Sequence, residues 1–182
     1  MGSSQPAKPR QTPVRFERVS EITALSLQPG DLSDITAIEH DCFSSPLTGE
    51  QIVSLLKDGH TRFFCIREML PAAGPEPNPA GLPEEKPIVA YVWLQTVLDE
   101  GYIGNVAVCT RLRRQGLGDS LLEALDRFAA EQGLCFLTLE VRAGNAPAIA
   151  LYEKHGYLRA GLRRNYYTAP REDAVLMTKE YA

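Results

Sequence analysis

The feature that most constrains this chain is Arg113-Arg114-Gln115-Gly116-Leu117-Gly118, set between an apolar strand pattern and an amphipathic helix pattern. Ile103 to Val108 reads as a strand, while Leu117, Leu121, Leu122, Leu125, Phe128 and Ala129 recur at helical spacing. Both glycines therefore fall where strand becomes helix. A helix start carries N–H groups without intrahelical acceptors and the positive end of the dipole, and glycine lets an anion approach the backbone closely. With Arg111, Arg113 and Arg114 adding positive charge beside it, the junction predicts a cradle for a diphosphate.

Two familiar phosphate loops do not fit. The Walker pattern requires Gly-Lys-Ser/Thr, and neither glycine is followed by Lys; the dinucleotide pattern requires a third glycine where Ser120-Leu121 stands. A lone Gly-x-Gly is more often a turn than a ligand site, so the rest of the chain has to decide.

Length and composition bound the answer. The 182 residues, 44% hydrophobic with a net charge of −4, predict one folded domain over 15–182 with a sizeable core. No apolar run approaches the roughly 20 residues that span a bilayer, and no signal-peptide pattern opens the chain, so a cytoplasmic protein without membrane contact is expected. Pro6 occupies the place where a myristoylation motif wants Ser or Thr. The acidic balance argues against nucleic acid, since phosphate-backbone binders present a basic face. Cys42, Cys65, Cys109 and Cys135 show no Cys-x-x-Cys spacing and sit in or beside apolar segments, which reads as reduced core cysteines without a metal.

Residues 1–14, polar and rich in Pro, Ser and Gln, predict a disordered tail. Ile22 to Leu27 reads as an opening strand, Pro29-Gly30-Asp31 as the turn into a helix that runs through Cys42 with Ile35, Ile38 and Cys42 on one face, and Thr48 with Gln51 as a capping box. Strands follow over Arg62 to Arg67 and Ile88 to Val97. Between them the prolines at 71, 75, 77, 79, 83 and 87 predict a surface-loop insertion over 70–87, because proline cannot serve a strand ladder. Asp99-Glu100-Gly101 reads as a hairpin turn, and Gly133 as the stop of the long helix. Cys135 to Val141 is a near-continuous apolar run, the pattern of a strand buried on both faces. Asn145 caps a helix with Pro147 in its first turn, and two antiparallel strands, Tyr157 to Tyr166 and Ala174 to Tyr181, close the chain.

Two residues stand out chemically. Glu140 ends Leu137-Thr138-Leu139 on that strand, so it must be paired or useful. It reads either as the ion-pair partner of Arg142 at i+2 or as a general base, whose pKa partial burial would raise from about 4.3 toward neutrality. Tyr152 shares a helix face with Ile149; core packing is the plain reading.

The segment from Asn105 to Tyr157 resembles the GNAT superfamily of acyl-coenzyme A N-acyltransferases, whose pyrophosphate loop follows Gln/Arg-x-x-Gly-x-Gly/Ala; Arg113, Gly116 and Gly118 fill it. Val97-Leu98-Asp99-Glu100, Leu139-Glu140-Val141-Arg142-Ala143-Gly144-Asn145, Ala148-Ile149-Ala150-Leu151-Tyr152-Glu153, Arg163-Arg164-Asn165-Tyr166-Tyr167 and Glu172-Asp173-Ala174 resemble its RimI branch. That branch acetylates the N-terminal alanine of a small-subunit ribosomal protein. The chain departs from it at Thr168, where the branch usually carries proline.

The resemblance implies an α/β fold with a mixed, mostly antiparallel sheet flanked by helices. It implies acetyl-coenzyme A as co-substrate, with pantetheine along Val106, Ala107 and Val108, diphosphate on Arg113, Arg114, Gln115, Gly116, Leu117 and Gly118, and a contact from Asn145. It carries the base onto Glu140 and the acid that protonates the coenzyme A thiolate onto Tyr152, with no metal. A GNAT acting on a small amine, and a non-catalytic acyl-coenzyme A sensor, are the other readings the chain leaves open.

Overall fold

Apolar side chains on both faces of the central strands decide the layering. The computed structural model describes residues 14–69 and 86–181, so nearly all of the expected tail and insertion lies outside the described residues. In chain order come β1 (Arg15–Phe16), β2 (Ser20–Ile22), α1 (Pro29–Cys42), α2 (Gly49–Lys57), β3 (Thr61–Met69), β4 (Ile88–Val97) and β5 (Glu100–Val108). A short 3-10 turn, Thr110–Leu112, leads to α3 (Leu117–Gln132), β6 (Phe136–Arg142), α4 (Ala146–Lys154), β7 (Leu158–Thr168) and β8 (Arg171–Glu180). The strands form one sheet in the order β1-β3-β4-β5-β6-β8-β7, with β2 also on β3. Every pairing is antiparallel except β5 with β6, which is the mixed, mostly antiparallel α/β sheet expected.

Alternation along β3 sends Phe63 and Cys65 to one side and Phe64 and Ile66 to the other. The first pair joins Ile35 and Ile38 of α1 and Ile52 and Leu56 of α2. The second joins the α3 stripe of Leu121, Leu122, Leu125 and Phe128. Capping fixes where the helices start. The Thr48 hydroxyl accepts from the Gln51 amide at 3.3 Å while the Gln51 side chain accepts from the Thr48 amide at 2.8 Å. Gly133 closes α3 as expected.

Four local expectations change. The opening strand is Ser20–Ile22, because Thr23 to Ser26 closes a turn in which the Ser26 amide bonds the Thr23 carbonyl at 3.1 Å and the Ser26 hydroxyl accepts from the Thr23 amide at 2.9 Å. The hairpin turns at Leu98-Asp99, not at Asp99-Glu100-Gly101: Val97 pairs with Glu100, and Gly101 lies inside β5, where an added Cβ would sit 2.2 Å from Leu137. Strand β6 is buried on one face: Leu137, Leu139 and Val141 pack inward, while Thr138, Glu140 and Arg142 alternate to a half-open face. Of the four free cysteines only Cys65 is buried; Cys42 and Cys109 are half-buried, and Cys135 is exposed with its thiol donating to Asp99 at 2.9 Å. Among the described residues no helix is long and apolar enough to cross a membrane.

Candidate active site

Strands β5 and β6 pair only from Glu100 to Tyr102 against Phe136 to Thr138, and then part. A bulge contributes to the bend: Val92 opposes Val106 and Leu94 opposes Ile103, so Gly104 and Asn105 together face Trp93. Past the split, among the described residues, no strand pairs with the β6-side edge of Ile103 to Val108. That edge opens on a cavity of about 530 Å³, with Val106, Ala107 and Val108 forming one wall. Arg113, Arg114, Gly116, Leu117 and Gly118 form another, and Asn145 and Tyr152 a third. Gln115 belongs to the loop but does not line the cavity.

The loop has the geometry of an anion cradle. Gly116 precedes α3 at φ 82°, a left-handed conformation that suits glycine, and a Cβ there would meet nothing within 4 Å. Among the described residues the amides of Arg114 to Asp119 have no acceptor, and the first bonded one is Ser120, 3.0 Å from the Gly116 carbonyl. Bare donors at a helix start beside open space fit a diphosphate. Arg113 lies along the β5 edge, its Nε donating to the Val108 carbonyl at 3.3 Å and its guanidinium to Cys42 Sγ at 3.4 Å. Arg111, expected to add charge here, turns away. It pairs with Glu68 and lines a separate depression, because that carboxylate on β3 offers it a bidentate partner.

Tyr152 packs in the core as its helix face predicts and also reaches the cavity wall. It is 7% exposed, packs edge-on to Tyr157 with ring centroids 5.8 Å apart, and still lines the cavity. Burial pushes its phenol well above the usual value, so it keeps its proton at any working pH. Asn145 acts as the helix cap, its Oδ1 accepting from the Ala148 amide at 3.3 Å.

Glu140 lies on β6 beyond the split and is not part of the cavity lining. Its side chain is 4% exposed, and its Oε1 meets Arg163 of β7 at 3.1 Å. Oε2 is buried with no hydrogen-bond partner among the described residues. The i+2 pairing with Arg142 does not form. Arg142 spans instead from Glu172 Oε2 at 3.2 Å and the Pro170 carbonyl at 3.1 Å to the Ser44 hydroxyl at 2.9 Å, and stacks 4.1 Å over Tyr167. It thereby ties the turn after α1 to the β7–β8 hairpin.

One buried carboxylate next to β5 escaped the sequence reading. Glu39 of α1 is fully buried beside β5, taking the Tyr91 hydroxyl and the Asn105 amide (2.6 Å) on Oε1 and the Leu47 amide (2.6 Å) on Oε2. Burial raises its pKa, and these donors offset the rise only in part. Its signal was present: Glu39 sits four residues after Ile35, inside the apolar stripe of α1.

The chain belongs to the acetyltransferase (GNAT) family, whose pattern it matches over residues 34–157. Among its relatives, the [ribosomal protein bS18]-alanine N-acetyltransferase of Escherichia coli K12 is 50% identical over 92 residues, which are 50% of this chain and 62% of that protein. The chain thus spans somewhat under two thirds of that relative's length. A Bacillus subtilis (strain 168) protein assigned the same activity provisionally is 31% identical over 148 residues, 81% of this chain and 87% of that one. The crystal structure of the ribosomal-protein-S18-alanine N-acetyltransferase from Escherichia coli superposes with a TM-score of 0.69 at 34% identity, covering 89% of this chain and 93% of that one.

Proposed function

We propose that this protein moves an acetyl group from acetyl-coenzyme A to the α-amine of a protein N-terminus, specifically the N-terminal alanine of a small-subunit ribosomal protein. The observation that carries the reading is the split sheet. It sets an unpaired β5 edge and a bare-amide cradle around one cavity, with a buried phenol at its wall and a nearly dry carboxylate on the neighbouring strand. The alanine acceptor is the activity named for the bacterial relatives, and the Arg163-Arg164-Asn165-Tyr166-Tyr167 segment is among those by which the chain resembles that branch.

When bound, acetyl-coenzyme A supplies an activated thioester carbonyl. The amides of Leu117 and Gly118, with Arg114, bind its diphosphate. Val106 and Val108 meet the pantetheine as an added strand would, and a backbone N–H there polarises the carbonyl oxygen. Glu140, directly or through water, takes the proton from the α-ammonium so that the nitrogen can attack. Tyr152, held protonated by burial, gives its proton to the departing thiolate. No metal and no acyl-enzyme enter this scheme.

Acidity favours the α-amine: an α-ammonium titrates near pH ~8 and a lysine near ~10.4, so a carboxylate removes the former proton more easily. Incubation with acetyl-coenzyme A and a peptide carrying both an N-terminal alanine and an internal lysine, followed by mass spectrometry, should show acetyl on the N-terminus. Acetylation mainly at lysine, or of free small amines alone, would overturn the acceptor assignment.

A further inference from the structure

Glu140 and Arg163 meet at 3.1 Å from opposite environments: the carboxylate is 4% exposed and the guanidinium side chain 55%. The other carboxylate oxygen, Oε2, is buried with no donor in full hydrogen-bond geometry among the described residues, and the Tyr102 hydroxyl of β5 lies close enough to interact with the carboxylate. The pair therefore joins a buried anion to a cation that solvent can reach.

Arg163 is built to yield. The β7–β8 register breaks between Arg163 and Tyr167, Asn165 within that break stands at φ 54°, and the residues around Arg163 are exposed. The guanidinium lies 5.6 Å over the Tyr166 ring. The other titratable groups around Glu140 are phenols. Tyr102 of β5 is driven up first by its own burial and then by a side-chain hydrogen bond with Glu140, and Tyr167 of β7 is likewise raised mainly by burial and donates to the Glu140 carbonyl at 3.2 Å. Tyr166 completes the set on β7, and β8 places the uncharged Leu176 in register with Glu140. Arg142 and Glu172, which act on Tyr167, are paired with each other.

We propose that Arg163 is a positioning residue that occupies Glu140 in the free enzyme and gives up its place to the acceptor's α-ammonium, so that acceptor binding exchanges one cation for another. The inference rests on Glu140 being the base. It gives a nearly dry carboxylate a counter-charge without a permanently buried cation. Charge balances, since one cation leaves the carboxylate as another arrives.

The exchange separates two pH profiles, because kcat/KM reports groups of the free enzyme and kcat those of the enzyme–acceptor complex. In Arg163→Gln, Glu140 loses its cation before acceptor binding, so the acid limb of kcat/KM should move up by about one pH unit or more. The acid limb of kcat should stay in place. Arg163→Lys should restore the wild-type kcat/KM profile. Arg159→Gln, at an exposed residue of the same strand that pairs with Glu153 instead, should match wild type in both. If both limbs move in Arg163→Gln, the guanidinium stays on Glu140 during turnover and the exchange is refuted; if neither moves, Arg163 has no hold on the base. Glu140→Gln tells these failures from that of the underlying reading. An inactive Glu140→Gln beside an unmoved Arg163→Gln removes only the exchange, whereas an active Glu140→Gln removes the base assignment and the exchange with it.

Discussion

A carboxylate can be fully buried only where its oxygens are spoken for, and Glu39 meets that condition with donors alone: a phenol, a side-chain amide and a backbone amide. Glu39→Gln would turn an NH2 group toward at least one of these donors. It should cost roughly 1–3 kcal/mol, the penalty of an unsatisfied buried group. Denaturant unfolding would show this as a lower midpoint at unchanged slope; an unchanged midpoint would mean that the site accepts a neutral amide and that the ionised form is not required. Tyr152 gives the opposite expectation. Its hydroxyl makes no hydrogen bond with the described residues, so Tyr152→Phe should leave the melting temperature nearly unchanged while lowering turnover by ~10²-fold or more, the usual contribution of a positioned acid. A large drop in stability at unaltered rate would return Tyr152 to core packing alone.

At the scale of elements, the loop from Arg113 to Gly118 is the part of the site that the sequence disclosed most fully, because its signal is local. Glycine spacing, a preceding strand and a following amphipathic stripe all lie within one short stretch. The consequence is testable. Gly116→Asp puts a side chain and a negative charge into the open space where a diphosphate would lie, and an L-residue at φ 82° is strained as well. Calorimetry should show acetyl-coenzyme A affinity falling by at least ~10-fold, about 1.4 kcal/mol, in a protein that still folds. Retained affinity would sink the assignment of the loop. What the sequence hid is relational. That Glu140 meets Arg163 and not Arg142 depends on the β7–β8 hairpin folding back beside β6, and that β6 is half-open depends on which strands the helices cover. The insertion of Glu39 into an apolar stripe was visible as a pattern break, but its partners come from β4, from β5 and from the turn after α1, which no periodicity reports. Arg111 was misplaced for the same reason: its partner Glu68 is distant in sequence.

For the whole molecule, the two cores on either side of one sheet place several phenols in dry surroundings. Burial is the leading cause that raises the pKa of Tyr102, Tyr152, Tyr157 and Tyr181, and the carboxylate of Asp126, which accepts the Tyr181 hydroxyl at 2.6 Å, adds to it for Tyr157 and Tyr181. The sign follows from linkage. A phenol whose folded pKa stands above its unfolded value of about 10 leaves stability intact below that value, because both states carry the proton. As pH rises past about 10 the unfolded chain ionises first, and stability is lost progressively up to the folded pKa values. Each unit of separation is worth about 1.4 kcal/mol for a fully buried group and less for the half-buried Tyr102 and Tyr181, so the loss is a sizeable part of a total stability of about 5–15 kcal/mol. The melting temperature should therefore be unaffected by these four phenols between about pH 7 and pH 9 and should fall steeply above about pH 10. Ultraviolet difference absorbance and circular dichroism followed together give the decisive comparison. Most of the phenolate signal should appear with the loss of secondary structure, not ahead of it; complete phenol ionisation in a protein that keeps its dichroism would show that these rings are open to water and that the sheet is not covered on both faces.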